Sequence, residues 1–308
     1  MTAWGDVIVR ARGLSAHILS PARLAPLCRA RDIDDLARQL NAFGVVIRDA
    51  GDAALDEHAL ELALRRRAGE RFALLAKWAG SRMTELTPIF DDEDRRAIRT
   101  IVRGAIAHID PHARTASLIP TPALPMRALD ALAQAGDIAT VASLLLAWGH
   151  PFGRVVEAEA RRAQPDVLAF EVALVREFAS RARAAAESGD AALRHFVTLT
   201  IDIANMRSAL ALAKWPSDID PETLFVPGGE TVTLSDMRNP DTAAKEPTRD
   251  ALIADFRRLA RDEPLGLAPV VLFALKQRAE LEALIGIVWG VSLGLPEQAL
   301  ERLAGVAA

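Results

Sequence analysis

Three short stretches of the 308-residue sequence gather side chains that could do chemistry: HIDPH (108–112), DDEDRR (91–96) and PGGE (227–230). His108, Asp110 and His112 are of the types that ligate a metal, and a metal-dependent enzyme is the reading they would serve. The cluster lacks a third and fourth ligand and sits in a loop bent by Pro111, so a solvated loop is the expectation. Four acids in one turn could supply paired carboxylates for acid–base work. At a helix start, however, they would satisfy free N–H groups and the positive end of the macrodipole, and DDEDRR is read as such a start. Gly228 and Gly229 could bring backbone N–H groups close to a phosphate, but no strand or Lys flanks them and a plain turn is expected.

The remaining candidates are sparse. His17, His58, His150 and His195 are scattered without triad spacing, and no nucleotide, hydrolase or zinc-protease motif occurs. The single Cys28 is expected to pack as a small apolar residue at a helix end. No catalytic residue, metal or cofactor is therefore expected in this chain. A net charge of −4 gives no field to draw nucleic acid, and the Arg run at 65–67 is offset by Glu61 and Glu70.

Any site must be positioned by helices. Ala, Leu and Arg dominate, aromatics are 5% and Tyr is absent, a composition that favours an all-α fold. The N-terminus shows no signal-peptide pattern, and the apolar runs 138–149 and 266–275 fall short of the roughly 20 residues a membrane span needs. A soluble, cytoplasmic protein is the expectation. Helices are expected over 51–78, opened by Asp52, and over 126–135, 137–147, 151–163, 165–188, 190–215, 248–262, 267–291 and 296–305.

One of these helices poses a problem. In LTIDIANMRSALALAKW (199–215) a wheel at about 100° per residue puts Leu199, Met206 and Leu210 on one stripe, with Thr200, Arg207 and Lys214 opposite. Asp202 and Asn205 fall inside the apolar arc. Buried and unpaired they would cost several kcal/mol, so backbone groups or an Arg must partner them. Similar helices start near Asp94 (DRRAIRTIVRG) and Glu280 (ELEALIGIVWG). Each is followed by a Leu/Pro turn: LIP (118–120), LFVP (224–227) and LGLP (293–296). Three copies of helix, turn and helix suggest a pseudo-repeat of about a hundred residues, with core helices near 94–110, 198–215 and 278–291.

With these residues in view, the chain resembles the C subunit of prokaryotic V/A-type ATPases, the relative of the d subunit of eukaryotic V-ATPases. TLTIDIANMRSALAL followed by LFVPGG looks like the family's acid-x-x-Asn-Leu-Arg helix and its Pro/Gly/Gly turn. Residues 263–303 are similar to the family's closing segment, and DVIVRARGLSAHIL (6–19) to its opening helix, so the likeness spans nearly the whole chain. The signature residues are Asp94, Arg99, Asp202, Asn205, Arg207 and Glu280. Ala97 stands where the family usually has Asn, and Ile285 where Arg is common. The resemblance implies a funnel of three bundles related by an approximate threefold axis, in one all-α subunit spanning 1–308. It implies docking on the membrane proteolipid ring, a cavity that receives the central-stalk subunits, torque transmission without catalysis, and peripheral membrane association without a span. The competing reading is a helical scaffold of an unrelated complex.

Overall fold

A computed structural model describes residues 4–45, 55–187, 189–214, 219–239 and 246–306. Among them there is no strand. The helices are α1 (Gly5–Ala16), α2 (Pro21–Leu24), α3 (Ile33–Ala42), α4 (Glu57–Ala79), α5 (Met83–Ile106), α6 (Pro111–Thr115), α7 (Met126–Gln134) and α8 (Ile138–Ala147). They continue with α9 (Gly153–Ala160), α10 (Val167–Glu187), α11 (Ala191–Lys214), α12 (Pro221–Leu224), α13 (Leu234–Arg238), α14 (Arg249–Asp262), α15 (Ala268–Ser292) and α16 (Glu297–Ala304). The chain is all-α.

Local signals explain most helix starts. Asp56, Asp137 and Thr248 each accept a hydrogen bond from the backbone N–H three residues on, at 2.7, 2.7 and 3.2 Å. Asp56 thus opens the helix assigned to Asp52, which lies outside the described residues. Pro21, Pro111 and Pro221 occupy first turns, where a missing N–H costs nothing.

DDEDRR does not open a helix. It lies in the middle of α5, and Asp91, Asp92, Glu93 and Asp94 are all buried. Four successive helical residues point in directions spread over about 300°, so burying all four requires neighbours on every side. Those neighbours are present. Arg181 of α10 donates to Asp91 at 2.8 Å, Arg95 and Arg96 to Asp92 at 2.5 and 2.7 Å, and Arg278 of α15 to Glu93 at 2.7 Å. The local composition of a cap is therefore outweighed by long-range partners.

The long helices form a closed circuit of contacts, α4 to α5, α5 to α10, α10 to α11, α11 to α15 and α15 back to α4, with α14 on α15. Phe72 of α4 meets Phe90 of α5 and Phe273 of α15 with ring centroids 5.4 and 6.3 Å apart. α1 packs on both α4 and α15, joining the start of the chain to its end. One cluster of buried apolar side chains runs from Trp4 to Ala304. α11 is the only helix among the described residues long and apolar enough to cross a membrane by composition. Here it is packed against α10, α13 and α15.

Candidate functional site

The middle of α11 explains its two interior polar residues. Asp202 is 2% exposed, and its Oδ2 accepts from the N–H groups of Glu230 and Thr231 at 3.0 and 2.9 Å. Its Oδ1 accepts from Val232 N at 3.0 Å. One turn further on, Asn205 is fully buried and pairs with the peptide of Val226 in both directions, its Nδ2 donating to O and its Oδ1 accepting from N, both at 2.9 Å. Together the pair pins the segment 226–232 to the helix. The N–H groups of Glu230, Thr231 and Val232, at the end of the PGGE turn and just beyond it, are therefore spent on a carboxylate of the same chain. Gly229 is obligatory, because a Cβ there would lie 2.1 Å from Asp202 Oδ1, and Gly228 takes a φ of +111°.

The wheel needs two corrections on this helix. Thr200 is buried, donating to Phe196 O at 2.8 Å, while Leu210 is 53% exposed. The cause is that α11 packs on several sides, so a single apolar arc does not describe its buried surface.

Asp94 occupies the corresponding position of α5. Asp94 and Asp202 are each the twelfth residue of a 24-residue helix, and Glu280 is the thirteenth of the 25 in α15. The acids therefore mark helix midpoints: a helix start near Asp94 or Glu280 is not found, whereas the expected spans 190–215 and 267–291, opened by Asp190 and Pro269, do enclose Asp202 and Glu280. Asp94 accepts from Thr121 Oγ1 at 2.5 Å and faces His150 Nε2 at 3.4 Å. Thr121 Oγ1 in turn accepts from Leu124 N at 2.9 Å. This acid thus holds the turn containing LIP, whose Pro120 lies against Gly69 of α4, where a Cβ would come within 2.8 Å.

Glu280 behaves alike but takes an unexpected partner. Its Oε1 accepts from Leu19 N at 2.8 Å, its Oε2 from Arg71 at 2.5 Å, and Arg71 also donates to His17 O at 2.9 Å. The turn held here is the N-terminal ILSP (18–21). LGLP, which follows α15 in sequence, is exposed, with Leu293 at 72%. The contact links residues 261 positions apart, which is why adjacency in sequence points to the wrong turn.

The signature arginines do not partner these acids. Arg207 is bound by Glu246 at 3.1 and 2.5 Å, and Arg99 lies 4.0 Å from Glu171. Both line a cavity between α5, α10 and α11 that the reading of the sequence missed. Its signal was the spacing of Arg95, Arg99 and Arg103 at i, i+4 and i+8. Burial opposes ionisation of Asp92, but the guanidiniums of Arg96 and Arg95 outweigh it and hold the carboxyl below the usual range. Burial pushes Asp91 the other way, against the pull of Arg181.

The HIDPH stretch is an exposed loop: Asp110 caps α6 by accepting from His112 N at 2.9 Å, and His108 has a φ of +52°. The His112 ring lies 5.9 Å from that of His58, and no group of three or more metal-binding side chains converges among the described residues. Cys28 is buried, and desolvation raises its thiol pKa.

The result is an all-α body in which α5, α11 and α15 each carry a buried mid-helix acid that fastens a Leu/Pro turn. The model of the ATP synthase (C/AC39) subunit family matches residues 7–246, and the chain belongs to that family. The A-type ATP synthase C subunit of Haloquadratum walsbyi is 24% identical over 322 aligned positions, covering 92% of this chain and 90% of the relative. The A-type ATP synthase C subunit of Halobacterium salinarum is 30% identical over 203 positions, covering 62% and 57%. The V-type ATP synthase C subunit of Thermus thermophilus is 34% identical over 100 positions, covering 32% and 30%.

Proposed function

We propose that the chain is the non-catalytic subunit of a rotary V/A-type ATPase or ATP synthase that couples the central stalk to the membrane proteolipid ring. The family and its relatives, named as C subunits of ATP synthases, support the complex. The observation that carries the mechanical role is the closed circuit of long helices, fastened where α5, α11 and α15 each bury an acid at mid-length. A part that passes torque must resist shear between its helices. Buried ion pairs such as Arg71 with Glu280, and turns held by three charge-assisted hydrogen bonds, lose energy steeply on small displacements. The equal placement of Asp94, Asp202 and Glu280 supports three similar bundles about an approximate threefold axis, with the third completed by the N-terminal turn. The subunit works at the cytoplasmic face and reaches the bilayer through the ring.

Reconstitution tests this reading. Purified central-stalk subunits and the detergent-solubilised ring should co-elute in size-exclusion chromatography only when this chain is added, and the chain alone should hydrolyse no ATP. Co-elution of stalk and ring without the chain, or failure of the chain to bind either, would favour a scaffold in another complex.

A further inference from the structure

Five arginines converge on one place. Arg95, Arg96, Arg99 and Arg103 of α5 and Arg207 of α11 line a cavity of about 290 Å³ between α5, α10 and α11. Fewer carboxylates face them. Asp92 pairs with Arg95 and Arg96, Glu246 with Arg207, and Glu171 lies 4.0 Å from Arg99 and 3.0 Å from Arg103. Glu282 also acts on Arg96, but it is itself bound by Arg249 and Arg278, and Arg278 serves Glu93 as well; among the described residues these seven guanidiniums and five carboxylates leave an excess of two positive charges.

Two donors in this group are unsatisfied. Arg95 is 5% exposed, and its Nε has no hydrogen-bond partner among the described residues. The buried Nε of Arg99 likewise has none. Buried guanidinium N–H groups without an acceptor are rare and costly. Arg95 is also held in place, by Asp92 at 2.5 Å and by the Phe178 ring, whose centroid is 5.7 Å from its guanidinium carbon. Burial first, and then repulsion from Arg95, Arg207 and Arg96, draw the Arg99 pKa down to about 10 despite the opposing pull of Glu171. The protein thus keeps like charges together where its own anions do not balance them.

We propose that this cavity binds a phosphate group, carried as inorganic phosphate or as a phosphate monoester, with Arg95 and Arg99 as donors at its floor and Arg103 and Arg207 at its mouth. A dianion matches the excess of two charges, whereas a single peptide carboxylate would offset half of it. The planar guanidinium fork suits phosphate oxygens. Val172, Val175 and Ile203 give the cavity an apolar wall on which the carbon chain of an ester can lie. Arg103 and Arg207 are 57% and 41% exposed at the side chain, so an anion meets them first, then the half-buried Arg99 and the buried Arg95. The inference is independent of the coupling role, since it rests on the charge and donor balance of this cavity alone.

The test is isothermal titration calorimetry of the full-length chain with inorganic phosphate and, separately, glycerol 3-phosphate, at constant ionic strength. Each should bind saturably at one site and displace the other, and acetate should not compete. Tighter binding of the ester assigns the site to organic phosphates, and equal or weaker binding assigns it to the free ion; both support a phosphate site. Arg99→Gln, whose only carboxylate contact is long, should keep its melting temperature and weaken binding about tenfold or more. Arg103→Gln at the rim should weaken it a few-fold and serves if Arg99→Gln does not fold, while Arg38→Gln on α3 should leave it unchanged. No saturable heat at millimolar phosphate, an unchanged affinity in Arg99→Gln, or binding of acetate or an acidic peptide as tight as phosphate would overturn the proposal.

Discussion

Replacing Asp202 by Ala removes the acceptor of three backbone N–H groups at once. Two of the donors belong to Glu230 and Thr231, which are exposed, so water can take the carboxylate's place at a net loss of about 1 kcal/mol each. Val232 is 4% exposed, and its N–H is left without a partner at about 1–3 kcal/mol. The sum is about 3–5 kcal/mol. For 308 residues the unfolding entropy is about 0.65 kcal/mol/K, so the melting temperature should fall by about 5–8 °C. Asp202→Asn should fall between, because its carbonyl can accept two of the donors while its NH2 group faces the third. Differential scanning calorimetry reads the shift, and limited proteolysis should report new cleavage within 225–233. A melting temperature within about 1 °C of wild type, with no new cleavage, would refute the claim that this carboxylate fastens the turn.

Three further outcomes follow from the same geometry. Gly229→Ala should destabilise the wild type, because its Cβ would lie 2.1 Å from Asp202 Oδ1, but cost little in the Asp202→Ala background; additive losses in that double-mutant cycle would contradict the contact. Arg71→Met leaves the 4%-exposed Glu280 with Leu19 N and, as its cationic partner, the more distant Arg67, so urea unfolding should show a loss of about 3 kcal/mol and the N-terminal segment should become protease-sensitive. For Asp92, whose folded pKa lies below its ordinary value of 3.8, the stabilisation is present above that value and is lost as pH falls below it. Asp92→Asn should therefore lower the melting temperature at pH 7, and its gap from wild type should narrow as the pH is taken below about 3.8; a gap independent of pH would show that the pair with Arg95 and Arg96 contributes no charge-dependent stability.

The helices themselves were largely readable, because caps such as Asp137 and Thr248 and the first-turn prolines act locally. Asp202 and Asn205 were readable for a related reason: a polar residue inside an apolar arc must find a partner, and the LFVPGG turn that follows supplies it. DDEDRR misled because four acids satisfy a helix start and an enclosed helix midpoint equally well, and only Arg181 and Arg278, far away in sequence, decide between them. The partner of Glu280 was hidden in the same way, since nothing near Leu19 advertises a residue 261 positions later. The Arg-lined cavity lay half in view. The spacing of Arg95, Arg99 and Arg103 marks one helix face, but the arrival of Arg207 depends on how α5 and α11 flank α10. Family membership came from the motifs themselves, and the match over residues 7–246 agrees with that resemblance.

The coupling role is tested most directly by deleting the gene and measuring ATP hydrolysis and ATP-driven ion pumping in membranes prepared from the same cells. Hydrolysis by the detached head should persist while pumping collapses, because the stalk would turn without gripping the ring, and restoring the wild-type chain should return pumping. Undiminished ATP-driven pumping in the deletion strain, with no second copy of the gene expressed, would contradict the account.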